Sequence, residues 1–196
     1  MALSSNWPYS AKGQSLGDAD VHSRLGGSRR LPAYNPTAQM NLTLPLDYAA
    51  IESILPHRYP FLLVDRIVEF EVDKRIVGIK NVSLNDRYLS QRTEGRPAMP
   101  PTILTEAIAQ VGAIMILAKP ENRQRLPFFA GIERVRYRGI VGPGDVLEIE
   151  AVVIRLRKRM GRLRGLARVN GKVVVDGMMT FALGPEERLS TPTRPA

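Results

Sequence analysis

Cysteine is absent from the 196-residue chain, which excludes disulfides, thiolate metal sites and a thiol nucleophile. Histidine is nearly absent: His22 and His57 are the only two, which leaves a transition-metal site short of ligands. No metal site is expected. The first twenty residues lack the basic and apolar regions of a signal peptide, so the cytoplasm is the expected location. What the chain has in excess is positive charge, with 28 Lys and Arg against 19 Asp and Glu, a net +9. That excess suits an acidic partner, whether nucleic acid, anionic lipid or an acidic carrier protein. Plain solubilisation fits the composition equally well. At 44% hydrophobic residues, the chain can bury one core plus an appendage rather than two domains.

The core is organised by Pro100–Ala118, PPTILTEAIAQVGAIMILA. Two prolines open this stretch, where a missing N–H has no intrahelical partner, and Lys119-Pro120 closes it. Ile103, Leu104, Ala107, Ile108, Val111, Ile114, Met115 and Ala118 cover more than one helical face, the mark of a buried helix. Its length, about 19 residues, would just span a bilayer, but Glu106 near its middle argues for a soluble core helix and no membrane partner. Thr102, Glu106 and Gln110, four apart, form one polar row. A carboxylate on an otherwise buried helix is the first hint of chemistry.

Residues 1–44 are rich in Ser, Gly, Pro, Ala and Asn and read as a disordered or loosely docked extension. His22 lies there and is expected to be inert. The folded domain is expected over 45–184, with a polar, proline-rich tail at 185–196. Asp47 caps a short helix through Ile54. A strand pair follows around Val72-Asp73-Lys74, and a polar loop, Asn85–Gly95, delivers the chain to the central helix. Four more strand-like runs come after, with junctions at Gly142-Pro143-Gly144, Met160-Gly161 and Asn170-Gly171, the last a strong hairpin signal. The pattern predicts an α+β domain with an antiparallel sheet.

Three segments then become recognisable: LPHRYPFLLVDRIVEFEVDKRIVGIKNVSLND, RPAMPPTILTEAIAQ and FFAGIERVRYRGIVGPGDVLEIEAVV. With GLARVNGKVVVDGMMTFA, they closely resemble the β-hydroxyacyl-acyl-carrier-protein dehydratases of bacterial fatty-acid synthesis, the FabZ type, over roughly 47–183. The resemblance implies a hot-dog fold, a curled antiparallel sheet around one long helix. It implies a dimer, often a trimer of dimers, with active sites shared between subunits. It also implies no cofactor, the substrate arriving on the phosphopantetheine of acyl carrier protein.

The family pairs a loop histidine of one subunit with the helix glutamate of the other. Its loop reads Gly-His-Phe-Pro-Gly-His-Pro-x-Met-Pro-Gly. This chain reads Gln91-Arg92-Thr93-Glu94-Gly95-Arg96-Pro97-Ala98-Met99-Pro100-Pro101. The register puts Glu106 on the glutamate and Arg92 on the catalytic histidine, and it implies substrate contacts at Gly95, Met99, Pro101 and Gln110. A guanidinium stays protonated and cannot remove the α-proton of a β-hydroxyacyl thioester, as an imidazole can. Pro101 stands where a glycine N–H would polarise the thioester, and it has no N–H to offer. His57, in Leu55-Pro56-His57-Arg58-Tyr59-Pro60, matches a structural residue of the family, so the sequence does not promote it to replace the lost base. Arg92 either remains a loop charge or pairs with Glu106 across the dimer.

The remaining feature is a basic run. Arg155, Arg157, Lys158, Arg159, Arg162, Arg164, Arg168 and Lys172 fall together without a carboxylate, and strand alternation places Arg155, Arg157 and Arg159 on one face. The resemblance implies that these cations dock acyl carrier protein. The run holds no aromatic for stacking, so nucleic acid is the weaker reading. Three functions compete. One is a catalytically impaired acyl-carrier binder, a homodimer or the partner of an active paralogue. Another is a residual or altered dehydratase or thioesterase using Glu106 or Glu94. The last is a nucleic-acid module.

Overall fold

The computed structural model describes residues 42–186 except 92–94, 124 and 158. The extension expected at 1–44 therefore lies almost wholly outside the described residues, as do Arg92, Glu94 and Lys158. So do the last ten residues of the tail.

The described chain runs α1 (Tyr48–Ile54), β1 (Arg66–Glu71), β2 (Arg75–Asn81), β3 (Ser90–Gln91), β4 (Pro97–Ala98) and α2 (Pro101–Leu117). A 3-10 turn at Pro120–Asn122 leads to β5 (Arg125–Tyr137), β6 (Val146–Arg157), β7 (Met160–Val169) and β8 (Lys172–Glu186). Six strands form one sheet in the order β1-β2-β6-β7-β8-β5, every neighbouring pair antiparallel. Helix α2 packs against β2, β5, β6, β7 and β8, the arrangement expected of a hot-dog fold.

Local chemistry accounts for most of these elements. The Asp47 carboxylate accepts from the Ala50 N–H at 2.9 Å and starts α1, whose Ile51 and Ile54 are buried; a capping bond of this kind is worth about 1 kcal/mol. The β1–β2 turn carries Asp73 at φ 59°, and Lys74 N–H closes on the Glu71 carbonyl at 3.1 Å. Asn170 and Gly171 take φ 49° and 76° in the β7–β8 turn, as an Asn-Gly hairpin requires. Helix α2 starts at Pro101 and ends one residue before Ala118, whose N–H bonds the Ile114 carbonyl at 2.8 Å.

The core holds Ile51, Ile67, Ile76, Ile108, Ile114, Met115, Leu147 and Ile149, all essentially inaccessible. Two glycines set how closely helix and sheet approach. A Cβ on Gly165 of β7 would lie 2.2 Å from Ile108 Cγ2, and one on Gly112 of α2 would lie 2.7 Å from Leu163 Cδ1.

Two expectations are corrected. The segment before α2 is not a plain loop, because β3 and β4 pair with each other as a small separate sheet. Lys80, 7% exposed, anchors that segment through Asp86 at 3.2 Å. The β6–β7 connection falls between Arg157 and Met160, not at Met160-Gly161. The cause is steric: a Cβ on Gly161 would lie 2.3 Å from Phe181 Cζ, so Gly161 is committed to the strand beneath that ring. Arg159 thus lies in the turn and does not extend the strand face of Arg155 and Arg157.

Candidate functional site

The site begins with Gln110, whose side chain is buried in the interior at 1% exposure. A buried amide must be satisfied, since an orphaned polar group costs about 1–3 kcal/mol. Its Oε1 accepts from the Leu63 N–H at 2.8 Å, and its Nε2 donates to the Phe61 carbonyl at 2.8 Å. The same Nε2 donates to Glu106 Oε1 at 2.8 Å. Gln110 therefore ties the 61–63 segment to α2 and holds the carboxylate one turn away.

That tie brings His57 to the site. Its Nε2 lies 3.5 Å from Glu106 Oε1, both side chains about a quarter exposed. Its Nδ1 is buried and makes no hydrogen bond among the described residues. The ring stands 6.0 Å from that of Phe61, tilted at 42°. No sequence signal marks this approach, because it depends on bonds that Gln110 makes to a segment 47 and 49 residues away.

Glu106 opens on a cavity of about 310 Å³ lined also by Thr102, Thr105, Ala109, Phe129, Ile132, Val135 and Tyr137. The wall is mostly apolar. Thr105 Oγ1 reaches the Pro101 carbonyl at 3.1 Å and the Tyr137 hydroxyl at 2.7 Å, fixing one rim. At the helix start, Pro101 presents no N–H, and Pro100 gives no side-chain cap. Met99 is buried, with its N–H on the Val141 carbonyl at 2.8 Å. Gly95 is exposed at φ 76°.

The structure carries Pro101, Glu106 and Gln110 on the N-terminal ten residues of α2, with Met99 just before it. It does not bring the arginines there. Arg157 lines a different cavity with Ile116 and Lys119, at the far end of α2; ten residues of helix from Glu106 correspond to about 15 Å. Arg155, Arg157, Arg159 and Arg164 are exposed and form no ion pair with a described residue. Arg162 is already paired with Glu133 at 2.7 Å, and Arg168 with Glu150 at 2.9 Å. Among the described residues no cluster of side chains could hold a metal ion, and no helix is long and apolar enough to cross a membrane.

A FabA-like domain model matches residues 55–178. A 3-hydroxyacyl-acyl-carrier-protein dehydratase FabZ of Geobacillus thermodenitrificans is 50% identical over 139 residues, covering 71% of this chain and 96% of the relative. The FabZ of Bacillus subtilis is likewise 50% identical over 139 residues, covering 71% and 99%. The chain belongs to the FabZ-type dehydratase family. Among solved structures, the dehydratase heterocomplex ApeI:P from Xenorhabdus doucetiae is similar at TM-score 0.60 and 21% identity, covering 72% of this chain and 92% of that one. A Streptococcus mutans protein, smu.793 bound to acetyl CoA, is similar at TM-score 0.53 and 12% identity, covering 68% and 98%. Both share the hot-dog fold with this FabZ-type chain.

Proposed function

We propose that this FabZ-type chain binds 3-hydroxyacyl thioesters of acyl carrier protein, is impaired in dehydrating them by itself, and serves as a subunit beside an active paralogue. One observation carries the reading. Glu106 is held by a fully buried glutamine at the wall of a formed, largely apolar cavity, which suits the acyl-binding half of a dehydratase site. The other half is missing from the sequence: Arg92 stands for the imidazole and Pro101 for the N–H donor. A binder with a lost base fits both facts, and no cofactor is needed.

The edge strand β5 supports a subunit role. Phe128, Phe129, Ile132 and Tyr137 are exposed along it, and among the described residues one side of its backbone pairs with no other strand of the sheet. A paralogue docking there would bring its own loop histidine toward Glu106. The exposed Arg155, Arg157 and Arg159 suit the acidic carrier, and the same cations would serve nucleic acid, the weaker alternative. A turnover assay with 3-hydroxyacyl carrier protein tests the proposal. The chain alone should be slow, Arg92→His with Pro101→Gly should be faster, and mixing with an intact family member should give an active heteromer. A wild-type rate matching an intact dehydratase would overturn it. The second reading, an altered enzyme using Glu106, is favoured by the imidazole beside that carboxylate.

A further inference from the structure

His57 is set apart by its surroundings. Its ring has one polar neighbour among the described residues, the Glu106 carboxylate at 3.5 Å. With no acceptor at Nδ1, nothing competes for the ring proton at Nε2, the nitrogen that faces Glu106; the bond at one nitrogen sets the state of the other. Both contacts to the carboxylate, from Gln110 and from His57, fall on Oε1. Oε2 is the oxygen left for a ligand in the cavity that Glu106 lines.

We propose that His57 is a positioning residue for Glu106, and that this same-subunit imidazole–carboxylate pair exchanges the C2 proton of a bound 3-hydroxyacyl thioester without a loop histidine. The inference rests on the acyl-thioester reading of the cavity. The C2–H bond breaks, its electron pair delocalises into the thioester carbonyl, and the proton bonds to Glu106 Oε2. That proton leaves Oε2 for solvent through the exposed quarter of the Glu106 side chain and another returns, while the Nε2–H of His57 faces Oε1 at 3.5 Å and keeps the carboxylate aimed. In reverse, Glu106 gives the new proton back to C2. Onward elimination would use the same groups: the C2 pair forms the C2–C3 double bond, the C3–O bond breaks, and the departing hydroxyl takes the proton to leave as water. Exchange and elimination share this enolate, but elimination also requires the one carboxylate to deliver its proton at the C3 hydroxyl rather than back at C2, so exchange outruns elimination. Gln110 supplies what a partner's loop would otherwise impose, a carboxylate of fixed direction.

The test is deuterium incorporation at C2 of 3-hydroxybutyryl-pantetheine in D2O, with the full-length chain and binding measured in parallel. Wild type should exchange and Glu106→Gln should not. His57→Ala should bind the thioester as wild type does yet exchange at least about tenfold more slowly, the loss expected when one polar contact to a charged group is removed. Free imidazole in the buffer should restore much of that loss, which a purely structural role would not allow. If His57→Ala does not fold, His57→Asn takes its place, with the same slowing expected. Binding without exchange by wild type, exchange unchanged in the His57 variant, or no rescue by imidazole would each overturn the pair while leaving the acyl-binding reading intact. Failure of wild type to bind the thioester would overturn that reading, and the pair with it.

Discussion

Replacing Gln110 by Glu changes one group by a single atom and should make the fold sensitive to pH. Gln110 faces one donor, Leu63 N–H, and two acceptors, the Phe61 carbonyl and Glu106 Oε1, all at 2.8 Å. An ionised glutamate would keep the first bond and turn an oxygen toward both acceptors, at 1% exposure. A protonated glutamate could still donate to one of them. Holding the new carboxyl protonated is therefore the cheaper course, and its cost follows from the unfolded value near 4.3. At pH 7 that is about 2.7 units, or about 3.7 kcal/mol; at pH 5 it is about 1 kcal/mol. The sign is fixed, because a carboxyl whose folded pKa is raised destabilises above its unfolded pKa and ceases to matter below it. Urea unfolding of variant and wild type across this range should show a gap widening by about 1.4 kcal/mol per pH unit. A gap independent of pH, or below about 1 kcal/mol at pH 7, would refute the three-bond role of Gln110.

Gly165→Ala should destabilise by about 1–3 kcal/mol, because Ile108 Cγ2 sits 2.2 Å from the new methyl on a branched, stiff side chain. Gly112→Ala meets only the movable end of Leu163 and gains about 1 kcal/mol of helix propensity, so denaturant midpoints should separate the two. The Glu150 carboxyl is held below its usual 4.5, chiefly by the hydrogen bond from Arg75 and secondly by Arg168. Its stabilisation is present above that usual value and fades as pH falls toward the folded one; Glu150→Gln should flatten the acid limb of the stability curve. Arg157→Glu with Arg159→Glu should weaken carrier-protein binding several-fold, mainly through slower association, and reduce its salt dependence. A competition in which DNA displaces the acylated carrier would move these arginines to the nucleic-acid reading.

How much of this was legible in the chain differs from element to element. Helix α2 was, because two prolines, an unbroken apolar run and Lys119-Pro120 are all local signals. So were α1, from Asp47, and the β7–β8 turn, from Asn170-Gly171. The polar row was legible only in part: spacing paired Glu106 with Gln110, but not that Gln110 is buried and serves Phe61 and Leu63. The approach of His57 to Glu106 was not legible, because it is a distance in space set by bonds to another segment. The arginine hairpin slipped by a few residues because Gly161, a turn residue by habit, is held in the strand by Phe181. The β3–β4 pair was missed because two-residue strands leave no periodicity to read.

The glycine seats under α2 have a consequence for how such a protein can change. With the branched, stiff Ile108 set into Gly165, the helix cannot slide along the sheet without a clash at that seat. The carboxylate side of the site is thereby inherited as a fixed part. On the proposed reading, chemistry on this frame would be modular: a handful of substitutions in one short segment would retire or restore the reaction, while the part that aims the carboxylate stays where it was.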